Sequence, residues 1–232
     1  MTPDDLETAR GSTVLADLPG TLQDRLLAVA QLQILKPDEV AFLQDDPPEA
    51  LFIVLEGWIR LCRVGASGAE TVIDLLSTGR SFGEASVLQE LPHLVTSRAM
   101  MRTRLLRLKA AVLRMLVGQE PALARSMLCA VLDHLQQFVL QIEDLKARSG
   151  VQRVTSFLLT CMEETTGQRE AVLPYGEALL ACQLGMKPET LSRAFARLRD
   201  HGARVEATTV HAEDCDHLHR LMLDKPASSS MC

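Results

Sequence analysis

Glu189, Ser192 and Arg193, with Lys187, Thr190 and Arg197 beside them, are the side chains best placed to do chemistry. Glutamate can accept a hydrogen bond from the cytosine N4 amine, and an arginine four residues on can fork onto guanine O6 and N7. Ser192 is small enough to approach a thymine methyl or a phosphate. On one helix face these residues suit a DNA major groove. They also fit a solvated helix face carrying an i,i+4 Glu–Arg pair.

The flanking sequence supplies the elements that would hold them. Leu191, Phe195 and Leu198 recur at i, i+4 and i+7, which predicts a buried stripe opposite the polar face. Pro188 opens this helix, where a missing N–H costs nothing. Before it, Leu184-Gly185-Met186 reads as a tight turn, with Gly185 free to adopt the left-handed conformation of a helix end. Ala178, Leu179, Ala181 and Cys182 give a short first helix an inner face, so the segment reads as a helix-turn-helix.

Residues 187–193 resemble the recognition helix of the bacterial CRP/FNR transcription regulators. Within that family the Glu189, Ser192, Arg193 triple is similar to the FNR branch, which reads TTGAT-type half-sites. Pro188 and residues 158–167 are most similar to the DNR-type, nitric-oxide-responsive regulators. The resemblance covers roughly residues 14 to 218. It implies an α+β chain: an N-terminal cyclic-nucleotide-binding-like β-roll (1–118), a dimerisation helix (119–148), a C-terminal winged helix-turn-helix (149–223) and a disordered tail (224–232). The resemblance also implies double-stranded DNA with a two-fold symmetric operator and RNA polymerase as partners.

Residues 40–61 look like the opening of that roll. Leu51 to Leu55 reads as a buried strand, Glu56-Gly57 as a turn, and Trp58 to Leu61 as the return strand. Gly65 and Gly68 punctuate the hairpin leading into residues 71–76. Phe82-Gly83-Glu84 resembles the start of the family's phosphate-binding cassette. In cyclic-AMP-binding relatives this continues to an arginine that clamps the cyclic phosphate. Here His93 or Leu94 stands at that place, and neither offers a bidentate cationic fork. Cyclic AMP is therefore not the expected effector. With Phe82, Gly83, Glu84, His93 and Leu94 lining an apolar pocket, haem b is the alternative, ligated axially by His93 or His134. Either histidine also reads as a hydrogen-bonded structural residue.

Pro121 and Ser149-Gly150 bracket a helix of about 28 residues, roughly 42 Å long. Leu123, Met127, Val131, His134, Phe138, Ile142 and Leu145 follow spacings of 4, 4, 3, 4, 4 and 3, a coiled-coil seam. From Met127 onward these residues are the expected homodimer interface, although a helix buried in its own domain would also show such a stripe. Two-fold half-sites lie about 34 Å apart, which requires a dimer.

Composition sets the remaining bounds. With 232 residues and 47% hydrophobic content, two cores can be buried. The net charge of −6 is unevenly placed: residues 1–50 carry ten acids and three bases, whereas residues 186–204 carry five bases and two acids. The local sign is what DNA meets. No two of the six cysteines are closer than 17 residues, and the N-terminal cysteine cluster of iron–sulfur FNR proteins is absent from the sequence. The polar N-terminus and the lack of an 18-residue apolar run lead to the expectation of a cytoplasmic chain without membrane contact. His211, His217, His219, Asp214 and Cys215 crowd a C-terminal segment, but Val205 to Val210 fits a wing hairpin and Asp214 or Asp216 a helix cap. No Gly-rich phosphate loop or nucleophile elbow suggests an enzyme. Two other outcomes stay open: a cyclic-nucleotide-responsive regulator, or a constitutive DNA-binding protein with a vestigial pocket.

Overall fold

The computed structural model describes residues 1–66, 68–163, 170–172, 176–206, 209–212 and 214–223. The chain divides into two compact units, Met1–Gln137 and Phe138–Cys232.

The first unit begins with α1 (Pro3–Arg10) and α2 (Gly20–Val29). Eight strands follow: β1 (Gln31–Leu35), β2 (Val40–Phe42), β3 (Ala50–Glu56), β4 (Ile59–Val64), β5 (Glu70–Leu76), β6 (Ser81–Phe82), β7 (Thr96–Ala99) and β8 (Thr103–Lys109). A short α3 (Glu84–Gln89) sits between β6 and β7, and α4 (Ala110–Val117) follows β8. The strands form two antiparallel four-stranded sheets, ordered β1-β8-β3-β6 and β2-β7-β4-β5.

β3 shows how the layers are built. Every residue from Ala50 to Leu55 is buried, because both faces of its sheet are covered. The side chains alternate: Ala50, Phe52 and Val54 join a core between the two sheets, while Leu51, Ile53 and Leu55 join a second core against the helices. This double burial explains the unbroken apolar run. The expected β3–β4 hairpin does not form. The strands belong to different sheets, and Gly57 carries the chain between them at φ +91°. A Cβ there would lie 2.7 Å from Thr103 Oγ1 and 2.8 Å from the Arg102 carbonyl oxygen, so only glycine fits. The β4–β5 hairpin forms as expected, with Gly65 N–H donating to the Ala69 carbonyl.

α5 (Pro121–Ala147) is the expected long helix. Its first turns are part of the helix-side core, where Leu123 and Met127 are fully buried. Met127 therefore belongs to its own domain and not to a subunit interface. His134 likewise turns inward, Nε2 lying 3.0 Å from the Ser81 carbonyl oxygen and Nδ1 3.8 Å from Asp74. Val131 and Phe138 are half-buried. The exposed apolar stripe runs one residue off the expected seam, through Leu128, Leu132, Leu135, Val139 and Ile142, all 45–57% exposed. Its spacing of 4, 3, 4 and 3 is that of a heptad. Of the expected interface residues, Ile142 lies on this stripe. Leu145 is half exposed, but its Cδ2 packs against Gly185 of the same chain.

The second unit contains α6 (Gly150–Glu163), β9 (Glu170–Val172), α7 (Glu177–Gln183), α8 (Pro188–Arg199), β10 (Ala203–Glu206), β11 (Thr209–Ala212) and α9 (Cys215–Leu223). The break at residues 148–150 is a capping exchange. Ser149 N–H donates to Gln152 Oε1 at 2.8 Å, and Gln152 N–H to Ser149 Oγ at 3.3 Å. The strands pair in the order β10-β11-β9, with β10 and β11 antiparallel through Ala203–Ala212 and Glu206–Thr209. This is the expected wing hairpin. Its tip at residues 207–208, the 224–232 tail and residues 164–167 of the expected DNR-like segment lie outside the described residues. Among the described residues, no helix is long and apolar enough to cross a membrane.

Candidate nucleic-acid interface and effector cavity

α8 separates its two faces cleanly. Leu191, Ala194, Phe195 and Leu198 are buried, whereas Lys187, Glu189, Ser192, Arg193, Arg197 and Arg199 are exposed. Thr190, also expected at the interface, is half-buried and lies near Gly150 at the start of α6. Lys187 is the N-cap in extended conformation and Pro188 the first helical residue. Gly185 adopts φ +59°, with its N–H donating to the Cys182 carbonyl, so the turn has its expected geometry. Leu180 and Ala181 supply the buried face of α7 and Cys182 is half-buried. The Ala178 and Leu179 side chains lie outside the described residues. Leu180 was missed because Leu179 beside it is equally apolar.

Arg193 is not spent on the Glu189 carboxylate. Its Nε donates to the Glu189 carbonyl at 3.2 Å and Nη2 reaches Thr190 Oγ1 at 3.5 Å. These contacts orient the guanidinium along the helix while leaving its other donors to solvent. Base edges and phosphates can satisfy these donors in place of water. Asp214 caps α9, its Oδ1 accepting from the His217 N–H at 3.0 Å. The Cys215 and Asp216 side chains lie outside the described residues.

In the first unit, the residues expected to line one pocket separate. Phe82 is core, packed against Phe52 and Phe42. Gly83 takes φ +93° as the N-cap of α3, its would-be Cβ 3.1 Å from the Ala50 carbonyl oxygen. Leu94 is 70% exposed on a bend before β7 and does not line the cavity beside His93. His93 is 3% exposed and stacks flat on Phe42 at 3.6 Å between centroids. Burial lowers its pKa, favouring the neutral imidazole. It faces a cavity of about 340 Å³ at the rim of the two sheets, lined also by Gln33, Phe42, Phe52, Glu49 and Arg107. Arg107 pairs with Glu49 at 3.1 Å. That cavity was not foreseen, because its walls come from four separate strands.

A second polar group lies inside the roll. Glu84 is 2% exposed, and its Oε1 has no hydrogen-bond partner among the described residues. Burial raises its pKa. His134 is shifted upward by Asp74 against the opposing effect of burial, with Glu84 and the Ser81 carbonyl adding to the rise. His134 has its ring nitrogens directed at oxygens of its own chain, Nε2 at the Ser81 carbonyl and Nδ1 at Asp74, so of the two candidate haem ligands His93 is the one that faces the cavity. Arg98 points to the other side of its strand, toward Glu70 at 3.6 Å and the Asp38 carbonyl at 2.9 Å. It does not supply the missing phosphate arginine.

A β-roll of two four-stranded sheets, a long helix and a winged helix-turn-helix with a basic exposed face define a DNA-binding regulator. Comparison with known proteins agrees. Residues 32–120 match the model of the cyclic nucleotide-binding domain, and residues 152–221 that of the Crp-like helix-turn-helix domain. The chain is 34% identical to a candidate cAMP-binding regulatory protein of Silicibacter pomeroyi DSS-3, covering 96% of this chain and 100% of that one at a TM-score of 0.66. It is 27% identical over 213 residues to the cyclic AMP receptor protein of Thermus thermophilus, covering 91% of this chain and 97% of the relative. It is also 25% identical to DNR of Pseudomonas aeruginosa, at 95% and 98% coverage and a TM-score of 0.52. The chain belongs to the CRP/FNR family of transcription regulators and is not an enzyme.

Proposed function

We propose that this regulator works as a homodimer joined along α5, reads two-fold symmetric operators with TTGAT-like half-sites, and responds to a small effector held in its N-terminal domain. The exposed Glu189, Ser192 and Arg193 on α8 carry the reading. Effector binding shifts the population between two orientations of the DNA-binding heads about residues 148–150, and RNA polymerase is the downstream partner. A mobility-shift titration on a duplex with two TTGAT-type half-sites, against a scrambled duplex, tests the reading. Equal affinity for both would refute it.

The effector is not a cyclic nucleotide in this proposal. Burial disfavours a charge on His93, Leu94 is turned to solvent, Arg98 is engaged elsewhere, and Arg107, the arginine that lines the cavity, is paired with Glu49, so none of them stands free to fork onto a cyclic phosphate. The cavity beside His93 lies at the small end of the roughly 300–1,000 Å³ range of ligand sites and suits a compact molecule. A second reading places haem b on His93, with nitric oxide as signal; the cavity of about 340 Å³, walled in part by the Glu49–Arg107 pair, does not fit the macrocycle as it stands and would have to open to admit it. The observation favouring it is the neutral, buried imidazole facing that cavity. Haem would supply a gas-binding iron, and His93 would hold it. Titration with haemin, comparing wild type with His93→Ala, should give a Soret band altered in the variant. An unchanged spectrum removes His93 as ligand.

A further inference from the structure

Charges of both signs line the cavity beside His93. Arg107 supplies the cation, and Glu49 and the half-buried Asp46 supply two carboxylates. Phe42, Phe52 and Pro47 add apolar wall. We infer that this cavity takes a small zwitterion, an α-amino acid with an apolar side chain, an inference that rests on the reading of this cavity as the effector site.

The Arg107–Glu49 pair is built for exchange. Glu49 is 75% exposed and Arg107 only 22%, so their bond at 3.1 Å has one partner in solvent. Such pairs contribute little and open readily. The second contact of the guanidinium, Nη1 to Gln31 Oε1, is long at 3.5 Å. A ligand carboxylate can therefore take the arginine fork in bidentate fashion, and the ligand's ammonium can take the carboxylate that Glu49 withdraws. Both charges of the original pair stay compensated. A cyclic phosphate brings an anion alone and would leave Glu49 and Asp46 together without a cation. Asp46 holds the Leu43 N–H through Oδ2 at 2.8 Å, which leaves Oδ1 for a further ammonium hydrogen. His93 completes the set. It is 3% exposed, and among the described residues its ring stacks on Phe42 without making a hydrogen bond. A neutral imidazole accepts at one nitrogen and donates at the other, so the ligand can supply the partner that the chain does not. The competing explanation is a surface ion pair over a cavity that holds water only.

Calorimetric titration of the full-length chain with L-leucine and with L-phenylalanine, up to millimolar concentration, separates the two. At least one of them should bind at one site per chain. The matching amine without the carboxylate, and the matching acid without the amine, keep the side chain but lose one charge, and each should bind at least about tenfold more weakly. Arg107→Gln and Glu49→Gln should weaken the amino acid to a similar degree, with thermal midpoints showing both variants folded. Arg98→Gln, on the other side of its strand, should leave binding unchanged. Failure of both amino acids to bind would overturn the inference, as would binding that survives Arg107→Gln or that the single-charge analogues match. Operator affinity, measured with and without the bound amino acid, keeps the two readings apart. Binding through Arg107 with operator affinity unmoved upholds the site and removes the cavity as effector site. Specific operator binding by a chain that takes neither amino acid sinks the zwitterion and leaves the regulator reading standing.

Discussion

Replacing Leu135 with Asp puts a charge in the middle of the exposed heptad of α5, where the account places the subunit interface. Leu135 is 55% exposed in the single chain. Complete burial of a leucine side chain stabilises by about 1.5–3 kcal/mol, so covering the exposed half contributes about 1 kcal/mol per subunit. Two-fold symmetry doubles this, and truncation to Ala should weaken the dimer by about 2 kcal/mol, roughly thirtyfold. Asp adds the cost of desolvating a carboxylate close to its symmetry mate, at least about 2 kcal/mol more. The dimer dissociation constant should then rise about a thousandfold or more. Sedimentation equilibrium over a micromolar concentration series reads this directly. Met127→Ala is the control. Met127 is fully buried in its own domain, so the change should cost about 2–5 kcal/mol of fold stability without selectively breaking the dimer. A Leu135→Asp chain that associates like wild type, with Met127→Ala the variant that dissociates, would refute the placement of the interface.

Two further substitutions probe the first unit. His134 has its pKa raised in the fold by Asp74, so its contribution is fully present below the unfolded value near 6.5 and is lost as pH rises through the raised folded value. Denaturant titrations of His134→Ala and wild type should therefore differ most at pH 5.5–6 and converge at alkaline pH; a gap that widens with pH would reverse the sign argued. Gly57→Ala forces a Cβ within 2.8 Å of backbone and side-chain oxygens at a left-handed φ, and should cost several kcal/mol. A thermal midpoint within a degree or two of wild type would show that the crossover between sheets relaxes freely.

The reading helix was legible in the sequence because its apolar and charged residues segregate at helical period, and burial of Leu191, Phe195 and Leu198 follows that spacing. Which apolar stripe of α5 stays exposed was not. Apolar residues stand at both 127 and 128, 131 and 132, and 138 and 139, so two adjacent stripes run along the helix. Periodicity alone could not decide which stripe its own domain would cover. The β3–β4 connection misled for a related reason: a strand, Glu-Gly and another strand look alike whether the strands pair or diverge. The effector cavity depends on rims of β1, β2, β3 and β8 meeting, and only sheet topology brings them together.

The central claim is that α8 reads base sequence, and Arg193 is where it is tested most directly. Fluorescence anisotropy should compare wild type and Arg193→Ala on a duplex carrying two TTGAT-type half-sites and on a scrambled duplex, at one fixed salt concentration. Loss of a guanine fork should cost about 1–3 kcal/mol per half-site on the cognate duplex, with little change on the scrambled one. Equal weakening on both duplexes would contradict the account, making Arg193 a phosphate contact and leaving the sequence reading to other residues.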